Sequence, residues 1–140
     1  MSGERGDMSN VGTKSQSREY SHHIRFAIEE RSPDLVRGRM PITEAILNPF
    51  GTVHAGAMLW FADVTATVLA IGDTEIGPDG RGFPLAVTLN AQLLGNRRSG
   101  AVIAEARPVR RGKRVVVVRT EVKDEEGALL LDVTTTHIPA

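Results

Sequence analysis

Ala55-Gly56-Ala57-Met58-Leu59-Trp60-Phe61-Ala62-Asp63-Val64-Thr65-Ala66-Thr67-Val68-Leu69-Ala70-Ile71 is the stretch from which the rest of this chain can be read. Across these 17 residues only Asp63, Thr65 and Thr67 are neither apolar nor small, and Gly72-Asp73 behind them is a helix stop signal. The run predicts a buried helix over 55–71. A helix apolar on nearly every side needs more cover than one sheet face supplies. A second copy of the chain is expected to supply the remainder, giving a homodimer or a dimer of dimers, with flanking loops as the alternative cover. A membrane span fits poorly, because the run is at the lower limit of spanning length and carries a carboxylate at its middle.

On the N-terminal side, Pro41 and Pro49 bracket residues 43–47, which leaves room for a single turn of helix. Before them, residues 24–30 and 35–42 read as two short strands joined by Arg31-Ser32-Pro33-Asp34, a turn sequence. Residues 1–17 are rich in Ser, Gly and charge without apolar periodicity, so a flexible tail is expected there, followed by one domain over residues 18–140. On the C-terminal side, after the glycine-rich loop at 77–82, residues 85–94, 101–111, 114–123 and 128–138 read as strands. Consecutive strands with short links make an antiparallel sheet. A 17-residue helix is roughly 25 Å long at about 1.5 Å per residue, close to the length of a strand of about eight residues. One curved antiparallel sheet can therefore cover the helix end to end, an α+β architecture.

The 140 residues suit one domain. Hydrophobic residues make up 41% of the chain and aromatic ones only 4%, so the core is aliphatic and base-stacking platforms for nucleic acid are not expected. With no cysteine there is no disulfide scaffold, cysteine zinc site or thiol nucleophile. A formal net charge of zero gives no overall pull toward DNA or anionic membranes. The charges are unevenly spread: residues 95–120 carry Arg97, Arg98, Arg107, Arg110, Arg111, Lys113, Arg114 and Arg119 against Glu105 alone. This stretch is either a solvated strand face or a contact for a small polyanion. No continuous apolar segment stands near the start, so the cytoplasm is the expected compartment.

Asp63 is the outlier, since a carboxylate in an apolar helix needs a partner, a hydrogen bond or a pocket. By spacing alone, a structural role for it stands beside a catalytic one. Thr67, one turn on, shares its face, and a carboxylate with a hydroxyl can address one reacting water. His54 lies nine residues before Asp63, on the opposite side of the helix, so it is read as shaping the turn at the helix start and not as a dyad partner. The first-turn N–H groups of Ala55, Gly56 and Ala57 are expected free to bind an oxyanion. Phosphate-loop, nucleophile-elbow and zinc-helix motifs are not found, and His22-His23 has no ligand partner, so no metal and no cofactor are expected.

Asn48-Pro49-Phe50-Gly51-Thr52-Val53-His54-Ala55-Gly56, followed by Asp63, resembles the N-x-x-G-x-x-H-G-G-x-x-x-x-x-x-D signature of PaaI-type hotdog acyl-CoA thioesterases. The resemblance extends through the glycine-bounded strands and covers the chain from about Leu35 onward. It implies that Asp63 attacks the thioester carbonyl or activates water, and that Asn48 contacts the carbonyl or the water. Thr67 then lies near the attacking water, and the Ala55 N–H bonds the thioester oxygen, with Gly56 as the second glycine of the motif. Ala55 departs from that glycine pair by one methyl, and Ala86 stands about where some relatives carry a serine that orients the water. The resemblance further implies an acyl-CoA substrate, with coenzyme A present only as part of it, and an active site at a dimer interface. Arg97, Arg98, Arg110, Arg111 and Lys113 are candidates, with His54, for holding the substrate and its phosphates. Two rival readings are a hotdog enoyl-thioester hydratase and a non-catalytic acyl-CoA binding module.

Overall fold

The computed structural model describes residues 23–140, so the expected tail and His22 lie outside the described residues. Six strands form one sheet: β1 (Ala27–Arg31), β2 (Val36–Pro41), β3 (Pro84–Leu93), β4 (Ala101–Arg111), β5 (Val116–Asp124) and β6 (Leu129–Pro139). A single 3₁₀ turn, Glu44–Ile46, stands between the two prolines as expected, and α1 spans Ala55–Ile71. The strands are antiparallel throughout, in the order β1-β2-β4-β5-β6-β3. The helix touches all six, as a sheet wrapped around it requires.

The order corrects one expectation. β3 and β4 are consecutive in sequence yet lie apart, with β3 paired only to β6 at the edge. The link between them is tied down elsewhere. The N–H groups of Leu94 and Gly95 both bond the Leu130 carbonyl at 2.8 and 3.1 Å. The Asn96 side chain bonds Val53 N and O at 3.0 and 2.8 Å, just before the helix. These bonds satisfy a polar link while routing it across the start of α1, so no hairpin forms.

The sheet-facing side of α1 consists of Ala57, Met58, Phe61, Ala62, Thr65, Ala66, Leu69 and Ala70, all buried. Its alanines meet Ala104, Ala106, Val118 and Val133 across a close helix-to-sheet contact. Phe61 is the large exception, and Gly38 of β2 makes room for it: a β-carbon there would stand 2.8 Å from the Phe61 ring. Phe26 packs on the same ring and on Trp60, at centroid distances of 4.9 and 4.8 Å. The helix stops at Gly72, whose φ of 53° lies in the left-handed region. Arg31 donates to the Gly72 carbonyl at 3.0 Å and Arg111 to that of Leu69 at 3.2 Å, placing cations at the negative end of the helix.

The other side of α1 is not buried in the core. Asp63, Val64, Thr67, Val68 and Ile71 are only partly covered, and Trp60 is 47% exposed. The carboxylate expected inside an apolar helix therefore sits at the edge of the fold. No helix of the described residues is long and apolar enough to cross a membrane.

The basic stretch is also not the single surface its sequence suggests. Some of its charges are paired with carboxylates, Arg119 with Asp132 at 2.9 Å, Arg97 with Asp124 at 2.8 Å and Arg107 with Glu105 at 3.9 Å, and Glu105 also takes Lys123 at 3.1 Å and, from β2, Arg37 at 2.7 Å. The Arg37 hydrogen bond holds the Glu105 carboxyl below its ordinary range, against the opposing effect of burial.

Candidate active site

The loop before α1 is built by Asn48. Its Oδ1 accepts from the N–H groups of Phe50 and Thr52 at 2.9 and 3.2 Å, and its Nδ2 donates to Thr52 Oγ1 at 2.8 Å. The side chain thus closes the turn in which Gly51 adopts φ 84°. His54 caps the helix, its Nδ1 accepting from Gly56 N at 2.8 Å. The ring lies so close that a β-carbon on Gly56 would stand 2.7 Å from its Cε1, which is why a glycine follows Ala55. His54 shapes the turn as expected from its spacing.

That geometry corrects the expectation of three free donors. The Gly56 N–H is given to His54 Nδ1 and the Ala57 N–H to the His54 carbonyl at 3.0 Å. The Ala55 N–H has no protein acceptor among the described residues, and Ala55 is exposed. One backbone donor is therefore presented at the helix start.

Asp63 and Thr67 line one groove, as their spacing predicts. It measures about 330 Å³ and is otherwise apolar, with Val64, Val68 and Ile71 on the helix side and Phe83 to Ala86 on the strand side. Ala86, noted for its missing hydroxyl, faces into this groove. A larger cleft of about 650 Å³ adjoins it at the end of α1, sharing Val68 and Ile71 but containing neither Asp63 nor Thr67.

The two parts of the expected site are separate within one chain. Ala55 and Asp63 are eight positions apart, about 12 Å along the helix axis, too far for one thioester carbonyl to reach both. The basic candidates are also split. Arg97 pairs with Asp124 at 2.8 Å and Arg98 donates to the Phe50 carbonyl at 2.8 Å, both near the helix start. Arg111 donates to the carbonyls of Leu69 and Pro33 near its end, roughly 20 Å away along α1. Lys113 borders a cleft of about 300 Å³ at that same end, beside Arg111 and Arg114. Arg110 and Lys113 are exposed and have no carboxylate partner among the described residues.

The sequence reading missed His137. It is fully buried on β6, with Nε2 2.8 Å from Thr135 Oγ1 and Nδ1 3.4 Å from the Pro84 carbonyl. The signal was available: Leu131, Val133, Thr135 and His137 alternate along the strand, so a histidine falls on the inward face. Among the described residues, no group of three or more potential ligand side chains stands close enough to hold a metal ion.

Residues 50–131 match the model of the thioesterase superfamily. A 1,4-dihydroxy-2-naphthoyl-CoA hydrolase of Escherichia coli is 30% identical over 106 residues, 76% of this chain and 74% of the relative. An enzyme of the same name from Listeria monocytogenes is 32% identical over 92 residues, 66% of this chain and 72% of the relative. A crystal structure of a Haemophilus influenzae thioesterase superposes with TM-score 0.73 at 25% identity, covering 81% of this chain and 76% of that one.

Proposed function

This chain belongs to the thioesterase superfamily as a hotdog-fold thioester hydrolase, and on that premise we propose that it hydrolyses an acyl-CoA to the free acid and coenzyme A at a site shared by two copies. The observation that carries the proposal is the groove: a carboxylate and a hydroxyl one helical turn apart in an otherwise apolar lining. Asp63 acts on the thioester carbonyl, either directly or by taking a proton from water. In the water route Asp63 takes a proton from the water whose oxygen bonds the carbonyl carbon, and that proton goes to the thiol as the carbon–sulfur bond breaks. In the direct route the carboxylate oxygen bonds the carbon and the thiolate leaves, after which water hydrolyses the mixed anhydride, releasing the acid, restoring Asp63 and supplying the proton that the thiol takes up. Thr67 holds the attacking water beside the carboxylate. The apolar walls receive the hydrocarbon part of the acyl group. The Ala55 N–H, at the positive end of the helix, stabilises the developing oxyanion.

Because that donor and Asp63 are separate within one chain, a two-fold copy must bring the helix start of one against the groove of the other. Two features support such a pairing. β3 is an edge strand of ten residues, and its Leu85, Val87, Leu89 and Leu93 are 45–53% exposed. A long apolar edge of this kind is stable in solution only when covered. Arg110 and Lys113 remain as phosphate contacts for coenzyme A, and Arg97, Arg98 and Arg111 act mainly through the loop, helix and strand ends they hold. Hydrolysis by this route uses no resident cofactor.

The test is Asp63→Asn in a thiol-release assay across short, long and aryl acyl-CoAs. Loss of at least about 100-fold in kcat is expected from removal of the base or nucleophile, and unchanged turnover overturns the assignment. An enoyl-thioester hydratase is discriminated by a spectral enoyl-CoA assay, in which no loss of the double bond is expected. Binding of acyl-CoA by calorimetry without any thiol release would favour the non-catalytic reading.

A further inference from the structure

His137 is the one titratable side chain among the buried polar residues described, the others being Thr65, Thr120 and Thr135. An apolar side chain would fill its place at lower desolvation cost, so the imidazole calls for a reason. Its two contacts supply one. The Pro84 carbonyl can only accept, so the ring nitrogen facing it, Nδ1, carries the hydrogen, and Nε2 accepts from the Thr135 hydroxyl. Burial pushes the imidazole pKa down and keeps this ring uncharged, with the Pro84 carbonyl and the Asp63 charge acting in the opposite direction.

The carbonyl it faces is one that the strand ladder leaves over. Pro84 opens β3 in register with Pro139, and the Ala140 N–H bonds the Phe83 carbonyl at 2.8 Å just before it, so Pro84 and Pro139 form a pair whose backbone groups point away from each other. Further along, the register slips between Ala86 and Thr88, a bulge that weakens the pairing. Between the start of the strand and this bulge lies Pro84-Leu85-Ala86, the wall of the groove opposite Asp63 and Thr67. Ala86 is the register partner of His137. The histidine therefore bonds a carbonyl that the ladder does not use, in the groove wall just before the bulge.

We infer that His137 is a positioning residue for thioester hydrolysis: its Nδ1–H holds the Pro84 carbonyl, and through it the wall that faces Asp63 and Thr67. It touches neither substrate nor reacting atoms. The inference rests on the function proposed above and adds to it a residue some fifty positions away from the groove wall it steadies, on a different strand.

Two isosteric variants separate this role from simple core filling. His137→Asn places an amide N–H where Nδ1 stands and keeps the bond to Pro84, whereas His137→Gln places its amide at the height of Nε2 and keeps only the Thr135 contact. With KM little changed, His137→Gln is expected to lower kcat about tenfold, since small displacements of a catalytic groove are costly, and His137→Asn to restore most of it. Equal kcat for the two variants, measured per folded protein below their melting temperatures, overturns the inference. A second reading needs no variant. Imidazole nitrogen shifts of the wild-type protein at neutral pH are expected to show the Nδ1–H form of His137, and the Nε2–H form or an imidazolium overturns the inference. Failure of the underlying function is read separately, as absence of thiol release by the wild type or unchanged turnover of Asp63→Asn.

Discussion

The two long sides of α1 are built on opposite rules. Toward the sheet it presents alanines, Leu69 and one large ring, all buried, with Phe61 seated over Gly38. Toward the groove it presents Asp63 and Thr67 among half-buried valines and Ile71, with Trp60 left 47% exposed. The first side fills space, and its one polar residue keeps a partner within the helix: Thr65 turns its hydroxyl back to the Phe61 carbonyl at 2.7 Å. The second leaves space and places polar atoms in it. Stability and activity are thus carried by different faces of one element, and substitutions on the two faces should separate them.

Asp63→Asn gives the largest effect expected, a loss of about 10²- to 10⁴-fold in kcat, with a melting temperature within a few degrees of wild type. If it unfolds the protein instead, the groove side is structural and the comparison fails. On the opposite face, Phe61→Ala is expected to cost about 3–5 kcal/mol of stability, read by denaturant unfolding, with kcat unchanged for the fraction that remains folded. Ala55→Pro tests the donor alone. Proline is well suited to the first helical position and His54 already has the extended backbone that a following proline requires, with φ −59° and ψ 128°. The helix should persist while thiol release falls about 10²-fold, the cost of one oxyanion donor.

The smallest effect is on pH. His137 has a depressed pKa in the folded chain, so below its ordinary 6.5 the unfolded chain takes up a proton that the folded chain refuses. Stability is therefore full above that value and falls as pH drops toward the folded pKa. A second loss follows at lower pH. Glu105 is held below its ordinary 4.5 mainly by Arg37, and Asp132 below its ordinary 3.8 mainly by Arg119. Their contribution is present above those values and is lost as pH falls through the depressed folded pKa values. Thermal melts across pH should show both phases, and His137→Leu should remove the first and leave the second.

The helix, its ends and the shared groove of Asp63 and Thr67 were legible because they depend on residues within two turns of one another. A run of apolar residues closed by Gly72 needs no knowledge of the rest of the chain. The placement of β3 at the far edge was not legible, because it depends on Asn96 meeting Val53 across 43 positions. The ion pairing of the basic stretch was not legible for the same reason, since the partner of Arg119 is assigned by strand register. Gly56 matched the expected motif by residue type, yet its N–H is occupied by the histidine two positions earlier, a detail fixed by the ring's orientation.

Sharing of the active site between two copies is tested most directly by mixing subunits that are each inactive for a different reason. Asp63→Asn lacks the carboxylate and Ala55→Pro lacks the donor, and each alone should release little thiol. After subunit exchange in equal amounts, half the dimers are mixed and each mixed dimer holds one intact site of two, so about a quarter of wild-type activity is expected to return. No recovery in a preparation shown to contain mixed dimers would place both groups in the same chain's site and contradict the shared arrangement.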